Sequence, residues 1–344
     1  VPADPVVPAA RVVPADPVVP GDPVVPAGGW TGRPGPGAEP LTMEWSPPYP
    51  VDVPLILSVH RRGARDPAYR SDASGAIWRT VLSPAGPGTL RVTAGPSPDG
   101  GTRVTAAAWG PGAAWLLETL PSLLGAGDDQ AGFVPVHPLL REMSARHSGA
   151  RVGRSGRVLE ALIPAVLEQK VVGAEARRAW RYLLHRFGQP APGPAPDGMR
   201  VFPDAATWAR IPSWEWHRAG VEPVRGRTIT GVARAAARLE EITAMAADDA
   251  DRRLRSLPGV GPWTSAEVRQ RACGDADAVS VGDYNLPAAV GWALAGRVVD
   301  DAGMLRLLAP YAGHRYRATR LVELSGARPP RHGPRLAMRE HRAF

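Results

Sequence analysis

From Pro138 to about residue 324, apolar side chains recur with the period of an α-helix, in short pieces set apart by Pro, Gly and polar turns. Short helices can bury their apolar stripes only against one another, so this rhythm predicts an all-α domain. Between 155 and 172, Val158, Leu159, Leu162, Ile163, Val166, Leu167 and Val171 form one stripe, with Ser155 placed to cap it and Pro164 to kink it. A second helix, 174–187, closes at Gly188 and leads into a Pro/Gly loop at 189–198. Further helices are expected near 204–210, 227–247, 249–256, 264–273, 284–295 and 301–324.

The preceding stretch has a different period. TLRVTAG (89–95) and TRVTAAAW (102–109) alternate apolar and polar residues around the turn SPDGG, and AIWRTVL (76–82) is a third strand candidate. AAWLLETLPSLLG (113–125) reads as a helix ending at Gly125. Residues 1–40 repeat VPADPVVP, with proline removing backbone donors and few large side chains to drive ordering, so they are expected to be disordered. The expected class is therefore α+β. It divides into the 1–40 repeat, an N-terminal mixed α/β domain (antiparallel sheet plus helix) at 41–130, a helical domain at 131–326 and a basic tail at 327–344.

Composition removes several kinds of chemistry. Cys273 is the only cysteine, which excludes an intramolecular disulfide framework, a four-cysteine zinc site and a cysteine-held iron–sulfur cluster. No apolar run approaches the ~20 residues that span a bilayer, so no membrane role is expected. The formal charge is +8, and Lys170 is the single lysine among 41 basic residues. Arginine excess suits phosphate binding, although GC-rich codons explain the same bias. No His/Cys/Asp cluster has catalytic metal spacing, and no cofactor is expected. A cytoplasmic, nucleoid-associated monomer fits these features.

The informative stretch is LRSLPGVGPWTSAEVRQRACGDADAVSVGDYNLP (254–287). A helix runs into Leu257-Pro258-Gly259-Val260-Gly261, and another opens near Thr264. Two glycines let backbone approach a surface closely, and free amides at a helix start attract an anion. Such a corner suits one DNA phosphate without reading sequence. Asp283 follows a short extended run and precedes a helix, where dipole and amides favour an ionised carboxylate. A preplaced anion there stabilises positive charge on a sugar and aligns a water. A plain helix cap is the alternative reading of the same residue. Asp275 and Asp277 read as turn or cap residues.

With this hairpin and the aspartate about twenty residues beyond it, the chain resembles the helix–hairpin–helix DNA glycosylase superfamily, closest to bacterial 3-methyladenine DNA glycosylase II. The WSPPYP of 45–50 is similar to that branch's opening, and the resemblance spans most of 41–325. It implies that the helical part is a helix–hairpin–helix glycosylase domain and that Asp283 is the essential carboxylate. Gly259, Val260, Gly261 and Thr264 are implied to grip DNA. Trp263 stands where lyase-competent branches carry their Schiff-base lysine, which implies a monofunctional enzyme with water attacking. Its ring would stack on an extruded base or, on the plainer reading, pack the two helices.

Two departures stand out. Glu267 occupies a place that is aromatic in the closest branch, and Glu323 another; a carboxylate there favours a cationic base or an exocyclic amine, or else forms a solvated helix face. Lys170 falls at the apolar wedge position, with Gln169 beside it facing the orphaned base; both also read as surface residues at a helix end. Trp208 and Trp214, with Trp216, line the base pocket or pack a small helix. His314 and Arg315 match a segment near the active site, where Arg315 would contact DNA backbone. Hairpin carbonyls offer a monovalent-cation site, as in relatives.

The function these features imply is removal of alkylated purines, 3-methyladenine or 7-methylguanine in type, from duplex DNA. The alternatives are other lesions (oxidised, deaminated or bulky), a non-catalytic lesion-binding protein, and a lyase that uses Lys170.

Overall fold

The computed structural model describes residues 39–98 and 100–330, with the backbone of Arg11–Val12. The sheet is antiparallel, built from β1 (Arg11–Val12), β2 (Leu41–Trp45), β3 (Tyr69–Ser71), β4 (Ile77–Ser83), β5 (Gly86–Pro96) and β6 (Thr102–Trp109), in the order β1-β2-β6-β5-β4-β3. The three strands expected from alternation are β4, β5 and β6. The short β2 and β3 were not anticipated, being too brief to show a period. Within the N-terminal repeat, Arg11 and Val12 pair with Glu44 and Met43, against the expectation of disorder at those two positions. They lie in a stretch without proline, where N–H donors survive. The rest of the 1–38 repeat, and the tail from 331, lie outside the described residues.

Helix Ala113–Leu123 covers one face of the sheet. Leu116, Leu117 and Leu120 pack there with Leu57, Val81, Leu90, Val92 and Val104. Gly125, at φ +85°, ends that helical segment as expected.

The helical part has two cores. One holds helices Val158–Glu168, Gly173–Phe187, Ala205–Arg210, Ser213–Ala219 and Pro223–Arg234, with Leu254, Val260 and Val268 from the hairpin helices. The other joins Pro138–Arg146 to Leu286–Ala295, Asp301–Leu308 and Arg315–Ser325. The chain therefore leaves the second core after residue 146, builds the first, and returns at about 279. The Pro/Gly loop at 189–198 is closed by β7 (Gln189–Pro190) against β8 (Arg200–Val201).

Several expected helices are shorter or broken. The 301–324 helix divides at Ala309–Tyr311 and Gly313, where Pro310 lacks a donor and Gly313 takes φ +86°. The 227–247 helix becomes Pro223–Arg234, Ala236–Glu240 and a 3₁₀ turn. Helix Val158–Glu168 runs through Pro164 and stops before the expected 172, because Lys170 adopts φ +54°, the single non-glycine residue with positive φ among the described residues. Ser155 does not cap it. The Glu240 carboxylate does, accepting from the amides of Val158 (2.9 Å) and Leu159 (3.1 Å).

Buried ion pairs fix the sheet unit to the helices. Arg317 donates to Asp128 at 2.5 and 3.0 Å, both side chains almost fully buried. Glu160 faces Arg79 at 3.4 Å and accepts from the Leu82 amide at 2.8 Å. Burial raises the Glu160 pKa against the opposing pull of Arg79 and Arg157.

Candidate active site

Helix Ala247–Arg255 ends at Ser256, and Leu257–Gly261 turns the chain into helix Pro262–Val268. Gly259 has φ +84° and lies against Thr228: an added Cβ would come within 2.9 Å of Thr228 Cγ2 and overlap its hydroxyl. This glycine is demanded twice, by conformation and by space. Val260 is buried and anchors the turn in the first core, while Pro258 and Gly259 are exposed at its tip. Gly261 offers no side-chain cap, Pro262 carries no N–H, and the Ser265 amide donates to the Gly261 carbonyl at 3.0 Å, which leaves the Trp263 and Thr264 amides at the helix start to meet an anion. Beyond Val268 the helix passes into a π-helical turn, Arg269–Cys273, and ends at Gly274 with φ +71°. Sequence gave no sign of the widened turn, a feature frequent at functional sites.

Gln169 donates its amide to the Gly259 carbonyl (2.9 Å) and the Thr264 hydroxyl (2.8 Å). Gln169, expected beside the wedge and facing the orphaned base, here latches the end of helix Val158–Glu168 to the hairpin. Thr264 is buried as the other end of this latch. Lys170, next in the chain, is exposed, held forward by its left-handed backbone.

Asp283 lies on the crossing back to the second core. Its Oδ1 accepts from the amides of Asn285 (2.7 Å) and Leu286 (2.8 Å), and its Oδ2 from the Trp263 indole N–H (3.0 Å). The two readings of this residue coincide: Asp283 caps helix Leu286–Ala295 and is simultaneously aimed at the hairpin helix. Trp263 is half-buried, with one polar edge committed and its ring partly open. Tyr284, beside Asp283, is 84% exposed, a platform the sequence reading missed although an aromatic follows the aspartate directly.

One turn beyond Trp263, Glu267 accepts from Ser280 Oγ (2.7 Å) and Arg271 Nη1 (2.8 Å). Arg271 also donates Nε to the Val59 carbonyl at 3.0 Å, bringing the sheet unit to this point. Burial works against the Arg271 cation, but Glu267 beside it, with Tyr316, Glu168 and Glu323, holds its pKa above the ordinary value. Glu267 is thus not the bare carboxylate the sequence suggested; its charge is balanced. The Glu–Arg spacing of four was the available signal, whereas nothing marked Ser280.

The remaining candidates disperse. Trp208 is fully buried between Phe202 and Trp216, with ring centroids 5.3 and 6.1 Å away, so it is core rather than pocket lining. Trp214 is 62% exposed on helix Ser213–Ala219. Neither has a ring contact with Trp263 among the described residues. Arg315 turns onto Asp277, donating Nε at 2.8 Å, instead of reaching outward; Asp277 also caps its amide. Asp275 holds Arg269 at 2.6 Å, so both turn aspartates anchor arginines. Glu323 pairs with Arg320 at 2.6 Å on a partly exposed face. The hairpin carbonyls of Leu257 and Gly259 already accept bonds, from Val260 N and Gln169, so a monovalent cation there would share them. Among the described residues no cluster of His, Cys, Asp and Glu could hold a metal ion, and no helix is long and apolar enough to cross a membrane.

No family model matches the chain. A probable bifunctional transcriptional activator/DNA repair enzyme AlkA of Mycobacterium tuberculosis is 29% identical over 151 residues, 43% of this chain and 30% of that protein. The matched part thus spans less than a third of the curated relative's length. Among solved structures, the 3-methyladenine DNA-glycosylase from Archaeoglobus fulgidus superposes with a TM-score of 0.66 at 17% identity, covering 82% of this chain and 98% of that one. The Clostridium acetobutylicum 8-oxoguanine glycosylase/lyase gives 0.63 at 11%, covering 83% and 96%. The chain has the fold of helix–hairpin–helix DNA glycosylases, and its mixed α+β architecture with a small antiparallel sheet matches theirs.

Proposed function

We propose that the protein is a monofunctional DNA glycosylase of base excision repair, working as a monomer on duplex DNA that carries a damaged base. The observation that carries this reading is the Asp283 carboxylate, fixed by two helix amides and by the indole of Trp263, two residues beyond the Leu257–Gly261 hairpin. Breaking the C1′–N bond sends its electron pair onto the departing base and leaves positive charge on the deoxyribose. The Asp283 carboxylate, aimed by its N–H donors, offsets that charge. A water oxygen bonds to C1′ as the base departs, and Asp283 accepts the water's proton.

Hydrolysis rather than lyase chemistry follows from Trp263. Indole offers no primary amine, and the single lysine, Lys170, stands at the end of another helix. There its stem fills the gap left by a flipped nucleotide while the ammonium meets a phosphate. Alkylated purines are the substrates proposed: their cationic bases leave easily, and the open Trp263 face attracts a cation. A second reading, a lesion with a polar edge, draws on Glu267, which keeps acceptor capacity on both oxygens beyond its bonds to Ser280 and Arg271.

A panel of duplexes carrying 3-methyladenine, 7-methylguanine, 8-oxoguanine or hypoxanthine, incubated with wild type and Asp283→Asn, tests this. Expected is release of an alkylated purine by wild type, lost in the variant, with abasic-site binding kept. Borohydride trapping of an adduct through Lys170 would establish a lyase instead, and binding without turnover on every duplex would leave a non-catalytic protein.

A further inference from the structure

Helix Gly173–Phe187 begins three residues after Lys170 and carries Arg177, Arg178, Arg181 and His185 along one side. The sheet unit meets that side with more arginine. Gly63 lies under Arg177, where an added Cβ would overlap Arg177 Cδ, which puts Arg61 and Arg65 beside the helix. The Arg200 amide donates to the Pro67 carbonyl at 2.8 Å, adding Arg200 and Arg70. Among the described residues none of Arg61, Arg65, Arg70, Arg177, Arg178, Arg181 and Arg200 forms an ion pair.

The local acids are spent. Asp66 is fully buried and accepts from Arg62 N (2.6 Å), Ala68 N (2.9 Å) and Trp180 Nε1 (2.8 Å). Glu168 pairs with Arg62, and Glu175 is buried beneath the helix. The mutual field is visible in the titrating groups. Burial, then Arg65, Arg177 and Arg178, lower Arg181, and burial, then Arg200, Arg70 and Arg181, lower His185. Like charges gathered without counter-charge cost stability. Elsewhere this protein spends its arginines on acids, as at Asp128, Glu160, Glu267 and Asp277.

We propose that this arginine face is a second DNA-binding surface, gripping phosphates of the duplex flank beyond the lesion. It rests on the glycosylase reading for its ligand but adds a site outside the hairpin and Asp283. Guanidinium groups keep their charge at all working pH and fork onto phosphate oxygens. The face begins on the helix that follows Lys170 and takes in arginines of the sheet unit, so a duplex held at Lys170 has this charge beside it.

The test measures affinity of the full chain for abasic-site duplexes against salt, one duplex long and one trimmed to the lesion and its neighbours. The triple variant Arg65→Gln, Arg177→Gln, Arg181→Gln should flatten the log K against log salt slope on the long duplex by about 2–3, at roughly 0.9 per lost phosphate contact. The trimmed duplex should change little. Arg103→Gln, on β6, should leave both slopes in place, and the triple variant Arg65→Lys, Arg177→Lys, Arg181→Lys should keep most of the slope. An unchanged slope on the long duplex, or equal losses on both, overturns the proposal while the glycosylase reading stands. Absence of DNA binding by the unaltered protein would overturn both.

Discussion

Trp263→Phe removes one hydrogen bond and little else. The phenyl ring keeps an aromatic face, while the indole N–H that reaches Asp283 Oδ2 at 3.0 Å is lost. A hydrogen bond to a charged acceptor is worth about 1.5–3 kcal/mol, and because both side chains are half-buried, water will replace part of it. About 1–2 kcal/mol of carboxylate positioning should therefore disappear, a roughly 5–30-fold slower base release. Asp283 remains held by the Asn285 and Leu286 amides, so activity should stay well above that of Asp283→Asn. Single-turnover release from a lesion duplex, with protein in excess, reads the chemical step directly. A Trp263→Phe rate equal to wild type would refute the positioning role. A rate as low as that of Asp283→Asn would refute it differently, by showing that the indole takes part in the chemistry.

Gly259→Ala should lower both the melting temperature and the affinity for abasic DNA, since φ +84° and the Thr228 side chain both reject a Cβ; a left-handed non-glycine residue alone costs about 1–2 kcal/mol. Adding Thr228→Ala should recover the steric share only, which thermal melts of the double variant will show. His60 gives a pH signature. Burial, then Arg79, Arg271 and Arg62, hold its pKa well below the usual 6.5, so the unfolded chain binds its proton first as pH falls. Stability contributed by this group should therefore be full above about pH 6.5 and fall below it, by up to ~1.4 kcal/mol per pH unit. Urea midpoints at about pH 7.5 and 5.5 should converge in His60→Gln relative to wild type, and identical pH slopes for the two proteins would contradict this.

The period-three-to-four stripes and the period-two strands were legible because burial imposes them along a continuous segment. The hairpin was legible because two glycines and a proline have few uses in that order. Partnerships between distant residues were not. Gln169 meets Gly259 across ninety positions of chain, and Glu240, not Ser155, caps helix Val158–Glu168 from a later helix. Tryptophan composition misled for a related reason. Trp208 and Trp214 have the residue type of a base pocket, yet one is sealed in the core and the other faces solvent, and only tertiary packing decides which. The Arg315–Asp277 pair shows the same limit for arginine, whose reach spans both an internal carboxylate and an external phosphate.

The return of the chain from one helical core to the other has a mechanical consequence. The hairpin and the Lys170 turn belong to the first core, whereas Asp283 rides on the crossing into the second. Side-chain ties span that seam: Trp263 to Asp283, Glu267 to Ser280, and Gln270 to both the Ala278 carbonyl at 2.9 Å and the Ser280 hydroxyl at 3.0 Å. The position of Asp283 relative to Trp263 is therefore set by how the two cores seat on one another, so a change that shifts either core moves the carboxylate against the hairpin helix.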